Sequence, residues 1–131
     1  MKKRILFIDD KQEFRKLVKI ILNNNYNVET AENGLQAFSL LQNGYLPDLI
    51  LCDINMPGLD GESFLKQVKV TGAFREIPFI VLSSIDKSST RVEMLKAGAN
   101  DYMVKHFNPE ELMVRINNTL ALTQVYSKKF F

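Results

Sequence analysis

Four apolar residues, Leu49-Ile50-Leu51-Cys52, run directly into Asp53, and the chain then breaks at Pro57-Gly58. A short unbroken apolar run closed by turn residues reads as a strand buried on both faces, usually within a parallel sheet. The carboxylate that ends it has no place in a core. It points out of the C-terminal edge of the sheet, where open α/β folds place their chemistry. The same grammar recurs along the chain: Arg4–Ile8 runs into Asp9-Asp10, Phe79–Leu82 into Ser83-Ser84, and Asp101–Val104 into Lys105-His106. Tyr26–Ala31 alternates like a half-buried strand, with Val28 and Thr30 as its β-branched members.

Between these runs the period shifts to that of helices. Phe14, Leu17, Val18, Ile21 and Leu22 share one face of a helix over Lys11–Asn24, which the asparagine run at 23–25 stops. Asn33 is placed to cap a helix carrying Ala37, Phe38 and Leu41, with Gly44 at its C-terminal end. Asp60 caps a third helix carrying Phe64, Leu65 and Val68 and closing near Gly72. A weaker helix spans about Lys87–Ala97, with Val92 and Leu95 its main apolar members and Gly98 after it. The last has the clearest start: Asn108 caps, Pro109 takes the first helical position, and Glu111 stands where a capping box needs an acid. Its buried face is Leu112, Met113, Ile116 and Leu120.

Five strands alternating with five helices through short loops predict one α/β domain, a doubly wound parallel sheet covered on both faces. Residues 1–124 form it, and 125–131 read as a C-terminal tail or the start of a linker. Seventeen basic residues against fifteen acidic leave a formal charge of +2, too small a surplus to argue for nucleic acid. No apolar stretch approaches the ~18 residues of a membrane span, and Asp9-Asp10 cut the N-terminal apolar run too short for a signal peptide. The single cysteine, Cys52, excludes an internal disulfide and fits a reducing compartment, so the cytoplasm is the expected location. Its side chain should face away from that of Asp53, as an inert buried thiol.

In a parallel sheet every strand exit lies on one edge, which collects Asp9, Asp10, Asp53, Ser83 and Lys105. With strand order 2-1-3-4-5, strands one and three are neighbours and the three carboxylates meet. Three carboxylates so close repel unless a cation intervenes, and Mg²⁺ suits a few carboxylates plus water. Ser83 adds a hydroxyl and Lys105 a mobile charge suited to phosphate. Taken singly, each residue reads as well as a turn former or helix cap. Taken together they imply phosphoryl transfer to Asp53.

Phe7-Ile8-Asp9-Asp10, the segment Asp53-Ile54-Asn55-Met56-Pro57-Gly58-Leu59-Asp60-Gly61, Leu82-Ser83-Ser84 and Ala97–Lys105 closely resemble a response-regulator receiver domain, over about Lys3–Leu122. The resemblance implies a flavodoxin-like (βα)5 fold with five parallel strands in order 2-1-3-4-5. It implies that Asp53 accepts phosphate from a histidine kinase or phosphotransfer protein. Asp10, Asp53 and the backbone carbonyl of Asn55 would hold Mg²⁺, with Asp9 acting mainly through water. Ser83 and Lys105 would bind the phosphoryl oxygens, and Tyr102 would follow Ser83 as a switch aromatic. The output would pass through helix 4, strand 5 and helix 5 to a downstream domain or protein, with a phosphorylation-dependent dimer among its forms. Such a domain is a phosphoacceptor with self-catalysed transfer rather than a turnover enzyme.

The chain departs from the family where His106 follows Lys105 in place of a proline held cis. A non-proline cis bond costs roughly 2.5–4 kcal/mol, so a trans bond is expected, which bears on the reach of Lys105. His106 reads as an exposed loop residue. Asn55 and Ile85 flank the expected path of a hydrolytic water, and Ile85 offers it no hydrogen bond, so slow to intermediate self-dephosphorylation is expected. Two other functions compete. A pseudo-receiver would bind partners without phosphorylation, with His106 as its support. A Mg²⁺-dependent phosphatase of the haloacid dehalogenase type would want Asp-x-Asp after strand one, a spacing that Asp9-Asp10-Lys11 lacks.

Overall fold

The computed structural model describes residues 1–55 and 60–130, with the backbone alone for 124–130. Its elements alternate strictly: β1 (Lys3–Ile8), α1 (Gln12–Leu22), β2 (Tyr26–Ala31), α2 (Gly34–Gln42), β3 (Leu49–Cys52), α3 (Gly61–Val70), β4 (Phe79–Ser83), α4 (Ser88–Lys96), β5 (Asp101–Val104) and α5 (Pro109–Phe130). The five strands form one parallel sheet in the order β2-β1-β3-β4-β5, as expected. Met56–Leu59, part of the motif after Asp53, lie outside the described residues, as do the side chains of the expected tail from residue 125. The backbone of that tail continues α5 to Phe130.

The apolar runs are strands because both faces of the sheet are covered. Ile5, Phe7, Leu49, Leu51, Ile80 and Leu82 face one way, onto Val18 and Leu22 of α1 and Leu112 and Ile116 of α5. Leu6, Ile8, Ile50, Cys52, Phe79 and Val81 face the other, onto α2, α3 and Met94 of α4. Phe64 is central to that second layer: its ring lies 6.0 Å from that of Phe79 and 6.5 Å from that of Phe38. Cys52 sits in this layer as an enclosed thiol, its pKa pushed well up by burial.

The helix ends are set locally. Asn33 Oδ1 accepts from the Gln36 N–H and Asp60 Oδ1 from the Ser63 N–H, each at 2.8 Å. Asn108 Oδ1 accepts from the Glu110 N–H at 2.8 Å, while Glu111 lies 3.5 Å from Arg115 of its own helix. Gly44 and Gly98 take positive φ, +97° and +118°, after α2 and α4, where a side chain would be strained.

Three expected core residues are on the surface. Leu17 is 48% exposed, because α1 turns Val18 and Leu22 inward, with Phe14 and Ile21 at the margin. Val92 and Leu95 are 48% and 42% exposed, and α4 instead seats Met94. The reason is shared: each helix covers a narrow strip of sheet, so only part of its apolar arc reaches the core.

Truncating Phe64 to alanine removes the centre of this packing. Phe64→Ala is expected to cost about 3–5 kcal/mol in urea unfolding. Val70→Ala, on the exposed flank of α3, is expected to stay within about 0.5 kcal/mol of the parent.

Candidate functional site

The sheet ladder continues past the strand ends and positions the residues beyond them. The Asp9 N–H donates to Ala31 O at 3.1 Å, the Asp53 N–H to Ile8 O at 3.0 Å, and the Lys105 N–H to Ser83 O at 2.7 Å. Neighbouring strands therefore hold each residue at the same edge. Asp9, Asp53, Ser83 and Lys105 are all buried, while Asp10 is exposed.

Each of the two buried carboxylates splits its oxygens between its own loop and one lysine. Asp9 Oδ1 accepts from the Lys11 N–H at 2.9 Å, and Asp53 Oδ1 from the Asn55 N–H at 3.1 Å. Lys105 Nζ donates to Asp53 Oδ2 at 3.1 Å and lies 2.8 Å from Asp9 Oδ2. That second contact is an ion pair, and the lysine is the charged partner of the enclosed Asp9 Oδ2. One oxygen from each of Asp9, Asp10 and Asp53 lies within 4.8 Å of the others. Three hard carboxylate donors beside a single ammonium make an acidic pocket consistent with Mg²⁺.

Burial pushes the Asp53 carboxyl above its ordinary pKa; the Asn55 N–H and the Lys105 charge pull it down, and Asp9 adds to the rise. Burial alone would lower Lys105, but its contacts with Asp9 and Asp53 outweigh this and leave it raised. The lysine is therefore a fixed cation at neutral pH.

The other residues singled out by the sequence take distinct places. Ser83 Oγ accepts from the Ile85 N–H at 3.1 Å. Tyr102 is buried, and its hydroxyl donates to Ile85 O at 2.6 Å, so both residues hold the loop between β4 and α4. Arg91 of α4 lies over the Tyr102 ring and pairs with Asp86 in that loop. His106 is exposed, as expected, and no described peptide bond is cis, so Lys105–His106 is trans with Lys105 still reaching both carboxylates.

Three residues absent from the sequence-based site also touch it. Arg15 Nη1 donates to Asp9 O at 2.7 Å, and Phe14 sets its ring 4.7 Å from Lys105 Nζ. Gly61 begins α3 against the backbone of Asp53 and Ile54, where a Cβ would collide. Helical spacing had marked Phe14 only as a packing residue, and nothing in the sequence marks Arg15. Gly61 was visible as part of the motif after Asp53.

The chain is thus a doubly wound α/β domain that gathers an acidic triad and a lysine at one edge of its sheet. Residues 5–117 match the family model described as the response regulator receiver domain, and the chain belongs to that family. It is 40% identical over 121 residues to the response regulator MprA of Mycobacterium sp. (strain KMS), covering 92% of this chain and 51% of that protein. The chain thus spans about half the length of the curated relatives it matches. Among solved structures, a response regulator from Chloroflexus aurantiacus superposes with a TM-score of 0.87 at 31% identity, covering 92% of this chain and 99% of that one. The chemotaxis response regulator CheY4 of Vibrio cholerae gives 0.84 at 30% identity, with 91% and 99% covered.

The raised Asp53 pKa has a consequence for stability. A carboxyl raised in the folded state binds its proton more readily there than in the unfolded chain. Stability therefore falls as pH climbs from the ordinary carboxylate value through the raised one. Asp53→Asn removes the buried charge, so in metal-free buffer it is expected to melt above the parent at pH 7.5. That advantage should shrink as the pH is lowered toward the ordinary carboxylate range, because a carboxyl held above its ordinary pKa takes up its proton first.

Proposed function

We propose that Asp53 accepts a phosphoryl group from the phosphohistidine of a histidine kinase or phosphotransfer protein. An Asp53 carboxylate oxygen attacks phosphorus, the phosphorus–nitrogen bond breaks, and the imidazole leaves with the electron pair. Asp10, Asp53 and the Asn55 carbonyl would hold Mg²⁺, with Asp9 contributing through water. When bound, the ion supplies positive charge against that building on the transferred group. Lys105 exchanges its contacts with carboxylate oxygens for a phosphoryl oxygen, and Ser83 turns its hydroxyl to another. The observation that carries this reading is Lys105, poised 3.1 Å from Asp53 Oδ2 in a buried acidic pocket.

The switch depends on the contacts Ser83 already makes. Its hydroxyl is bonded to Ile85, and Ile85 is bonded to Tyr102, so a turn of Ser83 toward phosphate pulls on the loop that opens α4. The output then lies on α4, β5 and α5, where Arg115 grips Asp101 at 3.0 and 3.1 Å and Leu95 stands exposed. We place there the contact with a downstream domain or protein, and with a second copy when phosphorylated. Ile85, two residues after Ser83, offers a hydrolytic water no hydrogen bond, and hydrolysis of the acyl phosphate is slow to intermediate. Residues 1–124 form the receiver unit, acting in the cytoplasm as a phosphoacceptor and not a turnover enzyme. No helix among the described residues is long and apolar enough to cross a membrane.

Incubation with a small acyl phosphate and Mg²⁺, followed by intact mass, tests the acceptor. One base-labile phosphoryl group is expected on the parent and none on Asp53→Asn. Failure to take it up from either the small donor or a kinase would leave a pseudo-receiver, while turnover of a phosphomonoester would point to a phosphatase. Mg²⁺ at about 100 times its Kd is expected to add about 2.7 kcal/mol of stability. Protons compete with the ion for the Asp53 carboxylate, so the gain in Tm should be full at neutral pH and shrink as the pH falls into the carboxylate range. Asp53→Asn should lose most of it.

A further inference from the structure

Lys105 is held by more than its carboxylates. Its ammonium lies 4.7 Å from the centroid of the Phe14 ring, on α1. Phe14 in turn stands edge-on to Phe107, two residues after Lys105, with centroids 6.1 Å apart and planes at 83°. On its other side Phe14 meets Phe7 of β1, with centroids 6.0 Å apart. Phe14 and Phe107 are partly buried against the core layer beneath α1 and α5. The three rings thus run from β1 through α1 to the loop between β5 and α5. That loop has no proline at 106 to stiffen it, and His106 itself is exposed.

We infer that Phe14 is a positioning residue for Lys105, its ring facing the ammonium and bracing, through Phe107, the loop that carries the lysine. An aromatic face attracts a cation but accepts no strong hydrogen bond. It therefore excludes water from one side of the ammonium without competing for its protons. The N–H groups directed away from the ring stay available for carboxylate or phosphoryl oxygens. The interaction is also indifferent to which oxygen is bound, so the lysine can pass from Asp9 and Asp53 to a phosphoryl oxygen without leaving the ring. This role rests on Asp53 as phosphoacceptor, but the placement of Lys105 by Phe14 does not.

The experiment separates the two. Lys105 is first read directly by NMR, from the order parameter of its ε-methylene in the parent, Phe14→Leu and Phe14→Tyr. Phe14→Leu should loosen the side chain while Phe14→Tyr keeps it ordered. An unchanged Lys105 in Phe14→Leu would overturn the inference whatever the protein does with phosphate. Phosphoryl uptake from acetyl phosphate is then measured for Phe14→Leu with Lys105 intact and in a Lys105→Met background. A factor of about five is expected in the first and about one in the second, since the ring acts through the ammonium. Equal losses in both backgrounds would make Phe14 a packing residue only, and overturn the role. Uptake by neither parent nor variant would overturn the acceptor reading and this role with it, leaving the placement of Lys105 to the NMR result.

Discussion

The ammonium of Lys105 between Asp9 and Asp53 is the interaction on which the rest of this edge depends. Two enclosed carboxylates at adjacent strand exits repel, and removing them from water costs several kcal/mol per ion before any pairing. One lysine meets both, at 2.8 and 3.1 Å, and each carboxylate settles its remaining oxygen on a backbone N–H of its own loop. The balance is incomplete. Burial still leaves Asp53 raised, Asp9 and Asp53 share one lysine, and Asp10 adds a third negative group. An edge assembled this way has one cation too few, which is the electrostatic condition for taking up another.

The parallel sheet converts that local balance into a connected edge. β4 and β5 are paired, with Ser83 opposite Val104, so the hydroxyl and the lysine stand at neighbouring exits. Ser83 and Tyr102 both bond to Ile85, from its N–H and its carbonyl respectively. Arg91 then links Tyr102 to Asp86 and to α4. Three hydrogen-bonded or stacked contacts therefore link Ser83 to Arg91 of α4. In the proposed function this short chain carries the signal, because a change at Ser83 alters contacts that α4 shares.

The loop after β5 shows how a sequence departure can be absorbed. With His106 after Lys105, the peptide is trans and the histidine turns to solvent. Lys105 nevertheless reaches both carboxylates, since its own N–H is tied to Ser83 O and its ammonium rests beside Phe14. The backbone anchor of Lys105 lies before the altered peptide, so the exchange at position 106 has little leverage on it.

Asp9, Asp10, Asp53, Ser83 and Lys105 were legible as a set because a parallel sheet places every strand exit on one edge, and apolar runs ending in polar residues mark those exits. The caps at Asn33, Asp60 and Asn108 were legible from local residue types, whereas the strand order came from the resemblance to receiver domains. Leu17, Val92 and Leu95 were misplaced because periodicity reports an apolar arc and not how much of it the sheet covers. Arg15 and Phe14 were not legible as site residues. Their roles depend on the rotation of α1 about its axis and on side chains that cross from one element to another. The sequence by itself determined which chemical groups gather at the sheet edge, since that is set by strand direction and run length. Only the tertiary structure decided which oxygen of each carboxylate Lys105 meets and which ring faces it, because those depend on packing between elements distant in the chain.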